Sequence, residues 1–189
     1  LVFDLPDLPQ QGGRNVKLTN NQVIANNHVN FAAPGNIVAG VPSGTGIMVM
    51  ANANVMVSGN HVMGNNGSAV MVVAYTQAFT DKAYNPLPRA VAIAGNHFMN
   101  NGKSPSFAGG KEIAAAVGGT LPPVLWDGLS ESPDTALKMV PGVTGWSLGL
   151  SRVGQSLAEA QPGPLELTPL ENWAFPPVGA PAELEARLK

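Results

Sequence analysis

Two histidines recur at the same point of a repeated phrase, His61 in NVMVSGNHVMGNN (54–66) and His97 in AVAIAGNHFMNNG (90–102). Gln22 stands at that point in a third copy, NVKLTNNQVIANN (15–27). Stacked imidazoles can bind a metal or polarise a hydroxyl. A structural metal site takes three or four ligands, however, and His28 has no place beside the pair. Ligand count therefore favours a polar stack at a solvent corner, with no metal. A second candidate lies in TQAFTDKAYNPLPR (76–89), where Asp81 and Lys82 sit between Phe79 and Tyr84. A charged pair flanked by ring faces suits a ligand such as a sugar, although loops commonly bury a few of their own side chains in this way. No catalytic residue can be named. Residues 1–110 hold three acids, Asp4, Asp7 and Asp81, and no glutamate, beside Arg14, Lys17, Lys82, Arg89 and Lys103. That supply is thin for acid–base chemistry on one face.

The elements that must position these residues follow from the repeat, since fixed-period self-similarity marks a repeat architecture. Each copy alternates apolar residues as a strand, turns at a Gly/Asn pair, adds a second apolar pair and turns again. GIMVMAN (46–52) and SAVMVVAY (68–75) open successive coils, and from Ile47 to Val70 is 23 residues, one three-strand turn. The expected fold is an all-β, right-handed parallel β-helix, a single-stranded solenoid with three strands per coil and an irregular C-terminal tail. Its inward columns are Val16/Val55/Val91, Leu18/Val57/Ile93 and Val23/Val62/Phe98, with Leu1, Phe3 and Leu5 extending the column of Ile47 and Val49. Asp4 then points outward. Asn21, Asn60 and Asn96 stand at equivalent turns, where Asn and Gly tolerate the left-handed backbone. Stacked amides there predict a hydrogen-bonded ladder.

Coils span residues 1–130, with loop insertions at 31–45 and 76–89; 131–157 is an irregular last coil or cap, and 158–189 an extended or weakly ordered tail. KEIAAAVGG (111–119) suits a short helix, and PPVLWDGL (122–129) and VTGWSLGL (143–150) suit strands. Because 46–52 and 68–75 are apolar on both faces, Met48, Met50, Met71 and Val73 point outward and need cover, either from the tail or from a partner. The chain opens on Leu1 inside the strand-like LVFDLP. Solenoids normally cap their ends, so upstream coils of the same protein are expected.

The net charge is -2, charged residues make up 12%, and Lys and Arg do not cluster, so nucleic acid is not an expected partner. No run of 18 apolar residues is present, which excludes a helical membrane span within this sequence. There is no cysteine, which leaves the redox compartment open.

The stretch GTGIMVMANANVMVSGNHVMGNNGSAVMVVAY (45–75, with the preceding Gly44) resembles exported bacterial parallel β-helix repeat proteins of the pectate-lyase-like superfamily, a group without an assigned reaction. The resemblance covers roughly residues 1–130. It implies an exported protein, periplasmic or extracellular, lipid-anchored through an N-terminal segment outside this sequence in some members. It supplies no catalytic residue. The expected function is a non-catalytic binding or scaffold module presenting loops 31–45 and 76–89 to a polysaccharide or an envelope protein, with no cofactor. The alternative is a carbohydrate-active enzyme, a lyase or uronate epimerase, with its site on upstream coils and calcium as its ion.

Overall fold

A computed structural model describes residues 1–167 and 170. The chain passes repeatedly through three sheets. The first pass contributes β1 (Val2–Phe3), β2 (Arg14–Thr19) and β3 (Gln22–Ile24), and the second β4 (Ile47–Met50), β5 (Ala53–Ser58) and β6 (His61–Met63). The third supplies β7 (Val70–Val73), β8 (Arg89–Ala94) and β9 (His97–Met99). Helix α1 (Gly110–Ala116) follows, then β10 (Val124–Trp126), α2 (Pro133–Ala136), β11 (Leu137–Met139), β12 (Gly145–Ser147) and β13 (Gly163–Pro164). The first sheet runs β1-β4-β7-β10-β12-β13, the second β11-β8-β5-β2 and the third β3-β6-β9. All pairings are parallel except β12 with β13.

This topology corrects the all-β solenoid with three strands in every coil. Among the described residues, only the first three passes place a strand in each sheet; the fourth has none in the third sheet, and the fifth enters the first sheet alone, where an antiparallel strand follows. The crossovers after β9 and β10 carry α1 and α2, and helix between parallel strands is an α/β-type feature. Described by its sheets of six, four and three strands, the fold is an α/β-type parallel-sheet arrangement, and no regular solenoid closes along its length. The physical cause is in the sequence beyond Gly102. The Asn-turn phrase ends there, and KEIAAAV has neither the alternation nor the β-branched content of a strand. Nothing in these sheets supports a pectate-lyase-like assignment, secretion or carbohydrate binding.

The core lies between the sheets. Val16–Val55–Val91 and Leu18–Val57–Ile93 pair across the second sheet, and Val23–Val62–Phe98 across the third. Val55, Val57, Val62, Val70, Val72, Val91 and Val124 have no exposed surface. Each contributes roughly 1.5–3 kcal/mol by leaving water. At the far end the core is covered by Val143, Leu165 and Leu167, the last two just beyond β13. Of the expected 158–189 tail, residues 168–169 and 171–189 lie outside the described residues.

The first pass is displaced by one residue from its expected register. Val2, not Phe3, pairs with Val49, and Phe3 pairs with Met50. A slip of one residue exchanges the two faces of a strand. Asp4 is consequently buried, and its carboxylate accepts the Gly12 N–H at 3.0 Å.

Corners recur with the passes. Asn20, Gly59 and Gly95 share a left-handed backbone, at φ 57, 65 and 59°, and so do Asn15, Asn54 and Ala90 at φ 60, 53 and 49°. A third set comprises Ala25, Gly64 and Asn100. Asn and Gly are the residues that enter this region at least cost, which explains their recurrence in the phrase.

Candidate functional site

Loop 31–45 lies over the outer face of the first sheet. Asn36 accepts the Val38 N–H and so starts a short 3-10 turn, Ile37–Gly40. Asn30 fastens the loop across its base, donating through Nδ2 to the carbonyls of Val38 (2.7 Å) and Val41 (2.9 Å). Ser106 Oγ donates to the Ser43 carbonyl at 2.9 Å, which ties in the segment before α1. Ile37 and Val41 are thereby held against the sheet.

Beneath the loop, Met48, Met71, Leu125 and Trp146 form one cross-strand row, with Met50 and Val73 in the next. Met48, Met71 and Leu125 pack with Val41, Phe107, Trp146 and Leu148, and Met50 with Ile37, Tyr75 and Tyr84. Among the described residues, the side chains packed against the methionines come from loop 31–45, from Phe107, from Tyr84 of loop 76–89, and from the strands and the residues beside them. Between loop and sheet remains a cleft of about 280 Å³, floored by Met48, Met50, Met71 and Leu125 and walled by Ile37, Val41 and Phe107.

Among the described residues, one carboxyl group lines this cleft. Asp127 follows β10 and is 4% exposed. Its Oδ2 accepts the Ala74 N–H at 2.6 Å and its Oδ1 the Leu129 N–H at 2.9 Å. Burial pushes its pKa up to about 6, against the pull of those N–H donors. With both oxygens bound to backbone, this carboxyl joins β7 to the turn after β10. The sequence signal for it was an acid before glycine at the end of an apolar run.

The loop 76–89 candidates separate. Phe79, Tyr84 and Tyr75 pack edge to face, with centroids 5.1 Å apart for Phe79–Tyr84 and 5.7 Å for Tyr75–Tyr84. Tyr84 is buried and its hydroxyl donates to the Asp4 carbonyl at 2.9 Å. Burial first, and the nearby Asp4 charge second, raise its pKa. Tyr75 and Tyr84 are buried in this cluster, while Phe79 keeps 37% of its surface exposed. Asp81 accepts a short hydrogen bond from Gln11 Nε2 and another from the Ala83 N–H at 2.8 Å, and the first of these does most to lower its pKa. Lys82 is exposed beside it.

Gln22, His61 and His97 stand in register across the third sheet, all exposed, with the imidazole centroids 5.5 Å apart. Asn21, Asn60 and Asn96 form a chain at the adjoining turn. Asn60 Oδ1 accepts Asn21 Nδ2 at 2.9 Å and the Asn21 N–H at 3.0 Å; Asn96 Oδ1 accepts the same two groups of Asn60 at 2.9 and 3.0 Å. A second chain, Asn26–Asn65–Asn101, runs along the next turn, where Asn65 Nδ2 meets Asn101 Oδ1 at 2.9 Å. Sequence reasoning missed it, although Asn26, Asn65 and Asn101 hold the same place in the three copies of the phrase.

No protein-family model, curated protein or solved structure matches this chain. No helix among the described residues is long and apolar enough to cross a membrane.

Proposed function

We propose that this chain is a non-catalytic binding module that holds a segment of a partner protein against the outer face of its first sheet. The observation that carries this reading is the cleft between loop 31–45 and the Met48, Met71 and Leu125 row. At about 280 Å³ and open to one side, it lies just below the roughly 300–1,000 Å³ that encloses a whole small molecule. It is large enough for one or two apolar side chains, each gaining about 1.5–3 kcal/mol on burial. Methionine-rich floors adapt to varied side chains. A glycan fits this lining poorly, since a sugar needs several hydrogen-bonding groups where the floor offers thioethers and methyls.

The same loop is suited to be a partner's contact. At its root Val29 and Phe31 are 77% and 91% exposed, beside the cleft-forming turn. Asp127, the carboxyl lining the cleft, has both oxygens bound by backbone donors, which supports binding over acid–base chemistry.

The experiment is selection from a random peptide display library on the intact chain, with binders then measured against Val41→Asp. Enriched peptides should carry one or two large apolar anchors, perturb the methyl resonances of Met48 and Met71, and lose binding to the variant. Binders that ignore Val41→Asp, or a selection that yields none, would overturn the reading.

A further inference from the structure

The third sheet repeats a second pattern, independent of the cleft. Strand β6 reads His61-Val62-Met63 and β9 reads His97-Phe98-Met99. The two are paired in parallel, His61 beside His97 and Met63 beside Met99. Val62 is fully buried and Phe98 packs against the core. Since successive side chains alternate between faces, both histidines and both methionines lie on the opposite, solvent-facing side. His61, His97 and Met99 are exposed, and Met63 is half-buried. Two imidazoles and two thioethers thus share one small patch.

We infer that this patch is a copper site, taking Cu(I) through His61, His97, Met63 and Met99. The ring geometry permits a shared ion. An ion about 2.0–2.1 Å from one nitrogen of each ring lies about 3.2 Å from each ring centre, so centroids 5.5 Å apart subtend about 120° at the metal, close to tetrahedral. The thioethers decide the metal. Among the described residues no three of His, Cys, Asp and Glu gather to hold an ion, so an ion that ignores thioether sulfur finds only two ligands here. A soft ion that accepts it finds four, and Cu(I) is the soft first-row ion that imidazole and thioether suit together. The preceding strand limits the site to this pair, because β3 carries Gln22 and Ile24 at the matching positions. Such an exposed site, built on two strands and without buried supporting carboxylates, holds copper in an exchangeable form.

The test is anaerobic titration of the intact chain with Cu(I) against a chromophoric Cu(I) chelator, with Zn(II) as the control ion. One Cu(I) per chain is expected, together with shifts of the Met63 and Met99 methyl resonances. His61→Ala or His97→Ala should weaken Cu(I) binding by at least the roughly tenfold typical of disturbing a metal's supporting shell. Met63→Leu with Met99→Leu should weaken Cu(I) and leave Zn(II) unchanged. All four side chains face solvent at least in part, and circular dichroism confirms that each variant is folded. Cu(I) binding that survives in the double histidine variant, that follows His28→Ala instead, or that is indifferent to the methionine pair would overturn the assignment.

Discussion

Asn60 and Met71 are both almost fully buried, at 0% and 5% exposure, and are buried by opposite means. Asn60 stands at a turn between the second and third sheets, enclosed by copies of itself in the passes before and after. It donates to the Leu18 carbonyl at 2.8 Å and to Asn96, and it accepts two bonds from Asn21. Met71 stands on the outer face of the first sheet and is covered by side chains far away in sequence, Val41 and Phe107 among them. The asparagine corner is held by directional bonds that recur with the passes, whereas the methionine face is held by non-directional packing that occurs once. The corner should tolerate no change of chemistry, and the face should tolerate a change of shape.

The largest effect expected from breaking this comparison is at the corner. Asn60→Ala removes the acceptor of the Asn21 N–H and Nδ2 and the amide donor to the Leu18 carbonyl, at about 1–3 kcal/mol for a buried group left without a partner. A total loss near 3 kcal/mol is expected, with Asn65→Ala similar and the exposed Asn21→Ala below about 1 kcal/mol. Urea melts of the four proteins decide it. Equal midpoints for Asn60→Ala and Asn21→Ala would remove the distinction between inner and outer rungs.

On the methionine face, Met71→Ala should cost about 2–3 kcal/mol, at the low end for buried methionine because the neighbouring cleft lets side chains shift inward. Met71→Leu keeps the volume and should stay within about 1 kcal/mol of the parent. A Met71→Leu loss as large as that of Asn60→Ala would show that the face, too, depends on one exact side chain.

Asp127 sharpens the contrast through pH. Its folded-state pKa of about 6 stands above the ordinary 3.8, so between those values the native state holds this proton more tightly than the unfolded chain. The stability it provides is complete below the lower value and is lost as pH rises through the upper one. The amount is about 2–3 kcal/mol. The parent's advantage over Asp127→Asn in melting temperature should therefore shrink between pH 4.5 and pH 7.5. Parallel pH profiles for the two would mean that this carboxyl titrates normally.

The same contrast separates what was legible in the sequence from what was not. The columns through Val55, Val57 and Val62 could be read because each is fixed by alternation within a short phrase and copied by the next pass. The Asn21–Asn60–Asn96 chain was legible for that reason as well. The Asn26–Asn65–Asn101 chain obeyed the same rule but was hidden, since paired asparagines already make sense as turn formers. The face assignment of β1 failed because LVFDLP has apolar residues at both parities, and a strand of two paired residues has too few contacts to reveal its register from composition. The regular solenoid failed beyond Gly102 for want of the phrase. Loop 31–45 over Met71 lay beyond periodic reasoning altogether, because its contacts with Val41 and Phe107 depend on where distant segments fold back.

The left-handed corners leave the molecule with unspent room for improvement. In the column Asn15, Asn54, Ala90, the first two members suit their backbone and bond to each other at 2.6 Å through Asn54 Nδ2, while Ala90 holds φ 49° with no side-chain amide to join them. An alanine in that region gives up roughly 1 kcal/mol relative to a residue that enters it freely. A lineage carrying asparagine at 90 would gain that margin without touching the core, the cleft or the histidine face, and could then tolerate a harmful substitution elsewhere. The repeat therefore works as a reserve of mutational tolerance, one corner at a time.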